Sequence, residues 1–202
     1  MTLLHLAKVR KYRGGRLVLD DVELVVAPKE RVVLLGENGS GKSTLIALVV
    51  GLLAPDRGTV TIDGVRLDRD RAGALARVGY AADRPDFPEH LRVDEWLALV
   101  ASLRGAKVTS EATLGLESIL RLPLRALSLG QKRRVSVASA RIGNPPLLVL
   151  DEPTNALDTV ALLSLEGVLV AHAEAGGAVL CATHDAAFAA RVGTRTVTMA
   201  MG

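Results

Sequence analysis

Apolar residues along this chain recur in three rhythms, and each rhythm predicts a different kind of element. Short apolar runs fill the first part: Leu3, Leu4, Leu6 and Val9, then residues 17–19 and 22–26. Arg13-Gly14-Gly15 and Asp20-Asp21 separate them, which predicts antiparallel strands broken at both places. Pro28-Lys29 turns the chain into Val32-Val33-Leu34-Leu35, and a helix-like apolar run follows over residues 45–53. Residues 59–65 read as a strand ending at the Asp63-Gly64 turn. A short helix around residues 71–77 then leads to a strand near residues 78–82.

From Val93 to Gly143 the rhythm becomes mostly helical. Val93, Trp96, Leu97, Val100 and Leu103 fall at helical spacing, which predicts Trp96 as a core anchor. Beyond Pro145-Pro146, Leu147-Leu148-Val149-Leu150 is uniformly apolar, as suits a strand covered on both faces. A helix over residues 159–175, a strand over 178–182 and a closing strand over 195–199 complete the pattern. Strand–helix alternation around a helical block predicts an α/β fold. It has a mainly parallel sheet, an antiparallel β part, and a helical insert at about residues 93–143 within one domain of residues 1–202.

Composition narrows the partners. With 202 residues, 49% hydrophobic and 23% charged, the chain can bury a full α/β core. No apolar run reaches the roughly 18–20 residues that span a bilayer. No basic-then-apolar leader opens the sequence, and the lone Cys181 can form no internal disulfide, so a cytoplasmic protein is expected. The net charge is only +3, basic residues are scattered apart from Lys132-Arg133-Arg134, and 2% of residues are aromatic. That is poor material for nucleic-acid binding, and none is expected. His5, His90, His172 and Cys181 are read as structural.

The run Gly36-Glu37-Asn38-Gly39-Ser40-Gly41-Lys42-Ser43-Thr44 lies between a predicted strand and a predicted helix, the context a phosphate-binding loop needs. Glycines 36, 39 and 41 are expected at φ > 0, turning backbone N–H groups toward a phosphate. The helix N-terminus adds unpaired donors and positive dipole. Lys42 would reach the β- and γ-phosphates of a nucleoside triphosphate, and the Ser43 hydroxyl would ligate Mg²⁺.

The apolar strand 147–150 ends in Asp151-Glu152. An acid at the carboxyl end of such a strand can hold Mg²⁺ through water, and the next carboxylate can polarise an attacking water. Twenty-three residues before Asp151, Leu127-Ser128-Leu129-Gly130-Gln131 starts a helix running through Val135, Ala138 and Ile142. Ser128 there is either a plain N-cap or, with the free N–H groups, a grip on the γ-phosphate of another subunit's nucleotide.

Taken together, these motifs resemble the nucleotide-binding domain of the ABC ATPases, over nearly the whole chain. On that resemblance, Gly36, Asn38, Gly39, Ser40, Gly41, Lys42, Ser43 and Thr44 form the Walker A loop. Asp151 ends Walker B, Glu152 is the catalytic base, and His184 after Thr183 is the switch histidine. Ser128, Gly130 and Gln131 match the signature motif, with Leu129 replacing its first glycine. Asn155-Ala156-Leu157-Asp158 is similar to the D-loop that crosses the dimer interface, and Tyr12 falls where the family stacks an aromatic ring on adenine. Asp83 occupies the place of a glutamine that touches Mg²⁺ or the attacking water. A carboxylate is an acceptable Mg²⁺ ligand but adds negative charge beside the phosphates.

The resemblance implies ATP and Mg²⁺ as ligands and a head-to-tail dimer, either a homodimer or a heterodimer with a related subunit. It also implies membrane-spanning transporter subunits on separate chains, with this chain peripheral at the inner face of the membrane. The chain carries no long extension after Met199, and that compactness is similar to exporter ATPases, including those of cytochrome c maturation. A soluble ABC-type ATPase acting on nucleic acid or ribosomes is the alternative. Such proteins commonly fuse two ATPase domains or carry long coiled coils, whereas this chain has one phosphate loop and no heptad run. A nucleotide kinase would need neither the signature motif nor the D-loop.

Overall fold

A computed structural model describes residues 2–108 and 115–199. In chain order the elements begin with strands β1 (Leu4–Arg13), β2 (Arg16–Val26) and β3 (Arg31–Leu35), then helix α1 (Lys42–Val49). Next come β4 (Arg57–Ile62), β5 (Val65–Arg66), α2 (Arg71–Leu75), β6 (Val78–Ala81), α3 (Val93–Leu103) and α4 (Leu129–Arg141). The last are β7 (Leu147–Asp151), α5 (Thr159–Glu174), β8 (Ala178–Thr183), α6 (Ala186–Val192) and β9 (Arg195–Thr198).

They form two sheets. An antiparallel one has the order β2-β1-β4-β5, and a parallel one has the order β6-β7-β8-β3-β9. Each face of the parallel sheet carries its own core. Leu34, Leu147, Val149 and Leu180 pack with Ile46 and Leu48 of α1 and with the antiparallel sheet. Val33, Leu148, Leu150 and Val179 pack with Leu165, Leu169 and Phe188 of α5 and α6. Alternate side chains of one strand enter opposite cores, so every residue of β7 and β8 is buried and both strands must be apolar throughout.

A third core joins Val93 and Leu97 of α3 to Val135, Ala138 and Ile142. Trp96 packs against it as expected, edge-on to Phe87 at 5.4 Å, with its indole N–H donating to Ser139 Oγ at 2.8 Å. The region between α3 and α4 is less helical than its rhythm predicts. Its described part holds only two single-turn 3₁₀ segments, Glu117–Ile119 and Leu124–Ala126, and residues 109–114 lie outside the described residues. Gly105 at φ 60 marks where α3 stops.

Two further differences have physical causes. Asp20-Asp21 does not end a strand, because β2 continues through it with Asp21 at φ 48. Short aspartates tolerate that conformation, and pairing with β1 on both sides outweighs the local turn preference. Helix α6 is absent from the sequence expectation. Its start is sealed by Asp185, whose carboxylate accepts the Phe188 N–H at 2.9 Å, while Phe188 is fully buried.

Because the sheet is parallel, carboxyl ends line up along one edge. Leu35 pairs with Thr183 and Asp151 with Ala182, so the segments after β3, β7 and β8 emerge side by side.

Candidate nucleotide and hydrolysis site

From that edge, residues 36–41 loop back into α1. Gly39 at φ 89 and Gly41 at φ 94 take the left-handed conformation, and Gly41 caps the helix. Gly36 does not, which corrects its expected conformation. A Cβ there would lie 2.5 Å from the Met199 carbonyl oxygen and 2.6 Å from Ser40 Oγ, so position 36 needs glycine for close approach.

Lys42 is the only side-chain cation of the loop and is buried. Its Nζ donates to the Gly36 and Glu37 carbonyls at 2.6 and 3.1 Å, and it stands 3.5 Å from Glu152 Oε1. The ammonium thus curls over the mouth of the loop, where a phosphate would compete for it.

At the end of β7, Asp151 Oδ1 accepts the Ser43 hydroxyl at 3.3 Å. Burial is the main influence pushing the Asp151 carboxyl above its usual range, and the charges of Asp83 and Glu152 push the same way. Burial and the same Asp151 and Asp83 charges push the nearby Tyr80 phenol up to about 12. The pocket is negative and holds two hard oxygen donors side by side, which fits Mg²⁺. That ion takes one or two protein oxygens and fills the rest of its shell with phosphate and water. Among the described residues no group of three or more His, Cys, Asp or Glu could hold a metal ion.

Glu152 bends away from the strand at φ 46 while its N–H still donates to the Ala182 carbonyl at 2.8 Å. Holding a non-glycine residue there costs about 1–3 kcal/mol. The bend aims the carboxylate at Lys42 and at His184, whose Nδ1 lies 2.8 Å and whose backbone N–H lies 3.3 Å from Glu152 Oε2. Residues 42, 43, 151, 152 and 184 therefore form one connected cluster. Tyr12 stands apart on the β1–β2 hairpin, 45% exposed, with its backbone N–H held by Asp56 Oδ2 at 2.7 Å.

The signature residues do not join this cluster. Ser128 Oγ accepts the Gln131 N–H at 3.2 Å, and Gln131 Oε1 accepts the Ser128 N–H at 2.9 Å, a reciprocal capping box at the start of α4. Gly130 lies so close under the Ala156 carbonyl that a Cβ would collide with it. Leu129, at the position of the first signature glycine, is 51% exposed.

Asp83 lies near enough to Asp151 to raise its carboxyl, but its partner is a cation. Its Oδ1 accepts from Arg133 Nη2 at 2.8 Å and from Asn155 Nδ2 at 3.4 Å. Arg133 was missed by the sequence reading. The only cue was the basic run 132–134, which looks like a solvated charge cluster.

The unfavourable ionisation of Asp151 makes a prediction. Its folded-state carboxyl titrates above the unfolded value of 3.8, so the folded protein binds the proton more tightly. Stability should fall as pH rises from that value through the folded one. Asp151→Asn removes it. The nucleotide-free variant is expected to melt higher than wild type at pH 7, a gain that shrinks toward pH 4, while Mg²⁺·ATP no longer raises its melting point. Calorimetry with and without ligand reads both. A variant melting at or below wild type at pH 7 would contradict the argument.

A glycine-lined loop at a helix start, an acid at a neighbouring strand end, and a carboxylate–histidine pair facing the loop lysine define a P-loop nucleoside triphosphatase. The family model described as ABC transporter matches residues 19–155. The chain belongs to the ABC transporter family, and it is an ATP-binding, ATP-hydrolysing subunit.

It is 39% identical to the cytochrome c biogenesis ATP-binding export protein CcmA of Rhizobium johnstonii, over 86% of this chain and 84% of that protein. It is 36% identical to the aliphatic sulfonates import ATP-binding protein SsuB 2 of Burkholderia cenocepacia, over 98% of this chain and 74% of that one. An uncharacterized ABC transporter ATP-binding protein, YdbJ of Bacillus subtilis, is 36% identical over 90% of this chain, which spans 61% of its length. Among solved structures, an ATP-binding subunit of an ABC transporter superposes with TM-score 0.91 at 31% identity, covering 98% of this chain and 86% of that one. The dimeric MJ0796 cassette superposes with TM-score 0.86 at 28% identity, over 97% and 94%.

Proposed function

We propose that this chain is the ATPase subunit of a membrane exporter and works as a head-to-tail homodimer in which each ATP lies between two copies. The observation that carries the dimer is the divided site. Lys42, Ser43, Asp151, Glu152 and His184 converge, while the Ser128 helix end satisfies itself elsewhere. The dimeric state of the MJ0796 cassette supports the same reading.

In this reading the single ATPase domain spans residues 1–202, with the helical part at about 93–143. The loop N–H groups, Lys42 and Thr44 bind the triphosphate, and Tyr12 packs on the base. Ser43 and Asp151 hold Mg²⁺, which supplies charge neutralisation for the phosphates when bound. Glu152 Oε2, held by His184, accepts the proton of the attacking water, and His184 then faces the γ-phosphate charge. Ser128, Gly130 and Gln131 of one copy complete the site of the other.

Membrane-spanning partners on other chains are supported by the family and by the described helices, none of which is long and apolar enough to cross a membrane. The proposed location is the cytoplasmic face of the membrane, without a nucleic-acid partner. Export rests on the likeness to CcmA, named an export protein.

The test is affinity isolation of the tagged full-length chain from solubilised native membranes. An integral membrane protein in stoichiometric amount is expected. Ribosomal RNA in its place would overturn the reading. In inverted vesicles of that complex, ATP in the medium should drive the solute inward, and ATP-dependent release of preloaded solute would overturn export.

A further inference from the structure

The largest wholly buried side chain among the described residues is a charged one, Arg133, at 2% exposure. It lies on α4, just past the capped helix start. Burial lowers its proton affinity, and the Asp83, Glu152 and Asp151 charges oppose that loss, so the cation sits within the field of the hydrolysis site. A buried cation is tolerated only where hydrogen-bonded acceptors surround it.

Here those acceptors belong to two separate loops. Arg133 Nη2 donates to the Asp83 carbonyl and to Asp83 Oδ1, and Nη1 donates to the Asn155 carbonyl. Asn155 Nδ2 reaches the same Asp83 oxygen at 3.4 Å, closing a triangle. The turn that carries Asn155 follows Glu152 directly, and the next carbonyl, that of Ala156, rests on Gly130 of α4. Ala156 holds φ 61 to make that contact. Two groups of α4, one at its start and one a turn later, thus grip the segment that leaves the hydrolytic carboxylate.

We propose that Arg133 is a positioning residue for ATP hydrolysis, joining the Asp83 segment and the turn after Glu152 to the signature helix so that the three move as one body. Asp83 acts as its counter-ion and not as a metal ligand. The proposal rests on Glu152 being the base. It also gives arginine a reason that lysine cannot meet: a planar fork serves two loops at once, while an ammonium on a flexible stem cannot hold both in register.

The test is a double-mutant cycle on the full-length protein with Mg²⁺·ATP, using Arg133→Lys, Asp83→Asn and the pair. Each single substitution is expected to lower kcat about 10-fold or more with KM for ATP within about twofold, since misplacement of a catalytic group acts on the reaction step. The double variant should be no slower than the slower single, because both remove one connection. Melting temperatures confirm that each variant is folded, and Asp83→Asn carries the test if Arg133→Lys is not.

Single variants within twofold of wild-type kcat, or effects that multiply in the double, would overturn the proposal. So would a several-fold shift in Mg²⁺ half-saturation on Asp83→Asn that persists in the Arg133→Lys background, since that places the carboxylate on the metal. Glu152→Gln measured in parallel separates the two readings. Full turnover there fails the base, whatever the cycle shows.

Discussion

Glu152→Gln is expected to keep ATP binding and to slow hydrolysis at least ~100-fold, the lower bound of what a general base contributes. In barrier terms that is about 2.7 kcal/mol. The amide preserves the shape that packs between Lys42 and His184, and the loop carbonyls that hold Lys42 are untouched. What disappears is the oxygen able to take a proton from water. With binding intact and turnover blocked, an ATP-bound dimer should accumulate, visible by light scattering after size exclusion. Near-normal turnover of the purified variant would remove Glu152 from the role of base and leave it as the counter-ion of Lys42.

Lys42→Ala should act earlier, on affinity itself. The substitution leaves two loop carbonyls and the Glu152 carboxylate without their cation, and removes a charge-assisted contact to the phosphates. A loss of about 1.5–3 kcal/mol from such a contact corresponds to roughly 10- to 100-fold weaker nucleotide binding. Ser128→Arg provides the contrast. Losing the cap should lower the melting point by a few degrees, as expected for about 1 kcal/mol, yet the monomer should bind ATP normally. Its dimer should fail to close, because a bulky cation occupies the place meant for another copy's γ-phosphate. Nucleotide titration of both variants decides. Equal loss of affinity would remove the trans-subunit role of the signature helix.

Much of the site could be read from residues alone, because its chemistry is local in the chain. A phosphate loop needs glycine, lysine and serine within nine consecutive positions between a strand and a helix. The cap at Ser128 behaves likewise, since its side chain satisfies an N–H three residues on. The buried strands are also legible, because cover on both faces leaves no polar position along 147–150. Where reading failed, the cause lay elsewhere in space. Asp20-Asp21 looks like a turn until β1 pairs along both sides of it. The Arg133 cue was a basic run, and nothing in that run says that its middle residue faces inward.

By itself, then, the sequence determined the fold class, most of the order of its elements and the local constellations of the phosphate loop, the acidic strand end and the Ser128 cap. These follow from periodicity, capping and turn chemistry, which act over a few residues. Tertiary structure alone decided why Gly36 is glycine, through a Met199 carbonyl 2.5 Å from its missing Cβ at the other end of the chain. It also decided that Glu152 turns to φ 46 to meet Lys42 and His184, and that Asp83 answers to Arg133. The physical reason is the same in each case. A buried charge or a crowded backbone finds its partner among whichever elements packing brings beside it, and sequence separation does not encode that distance.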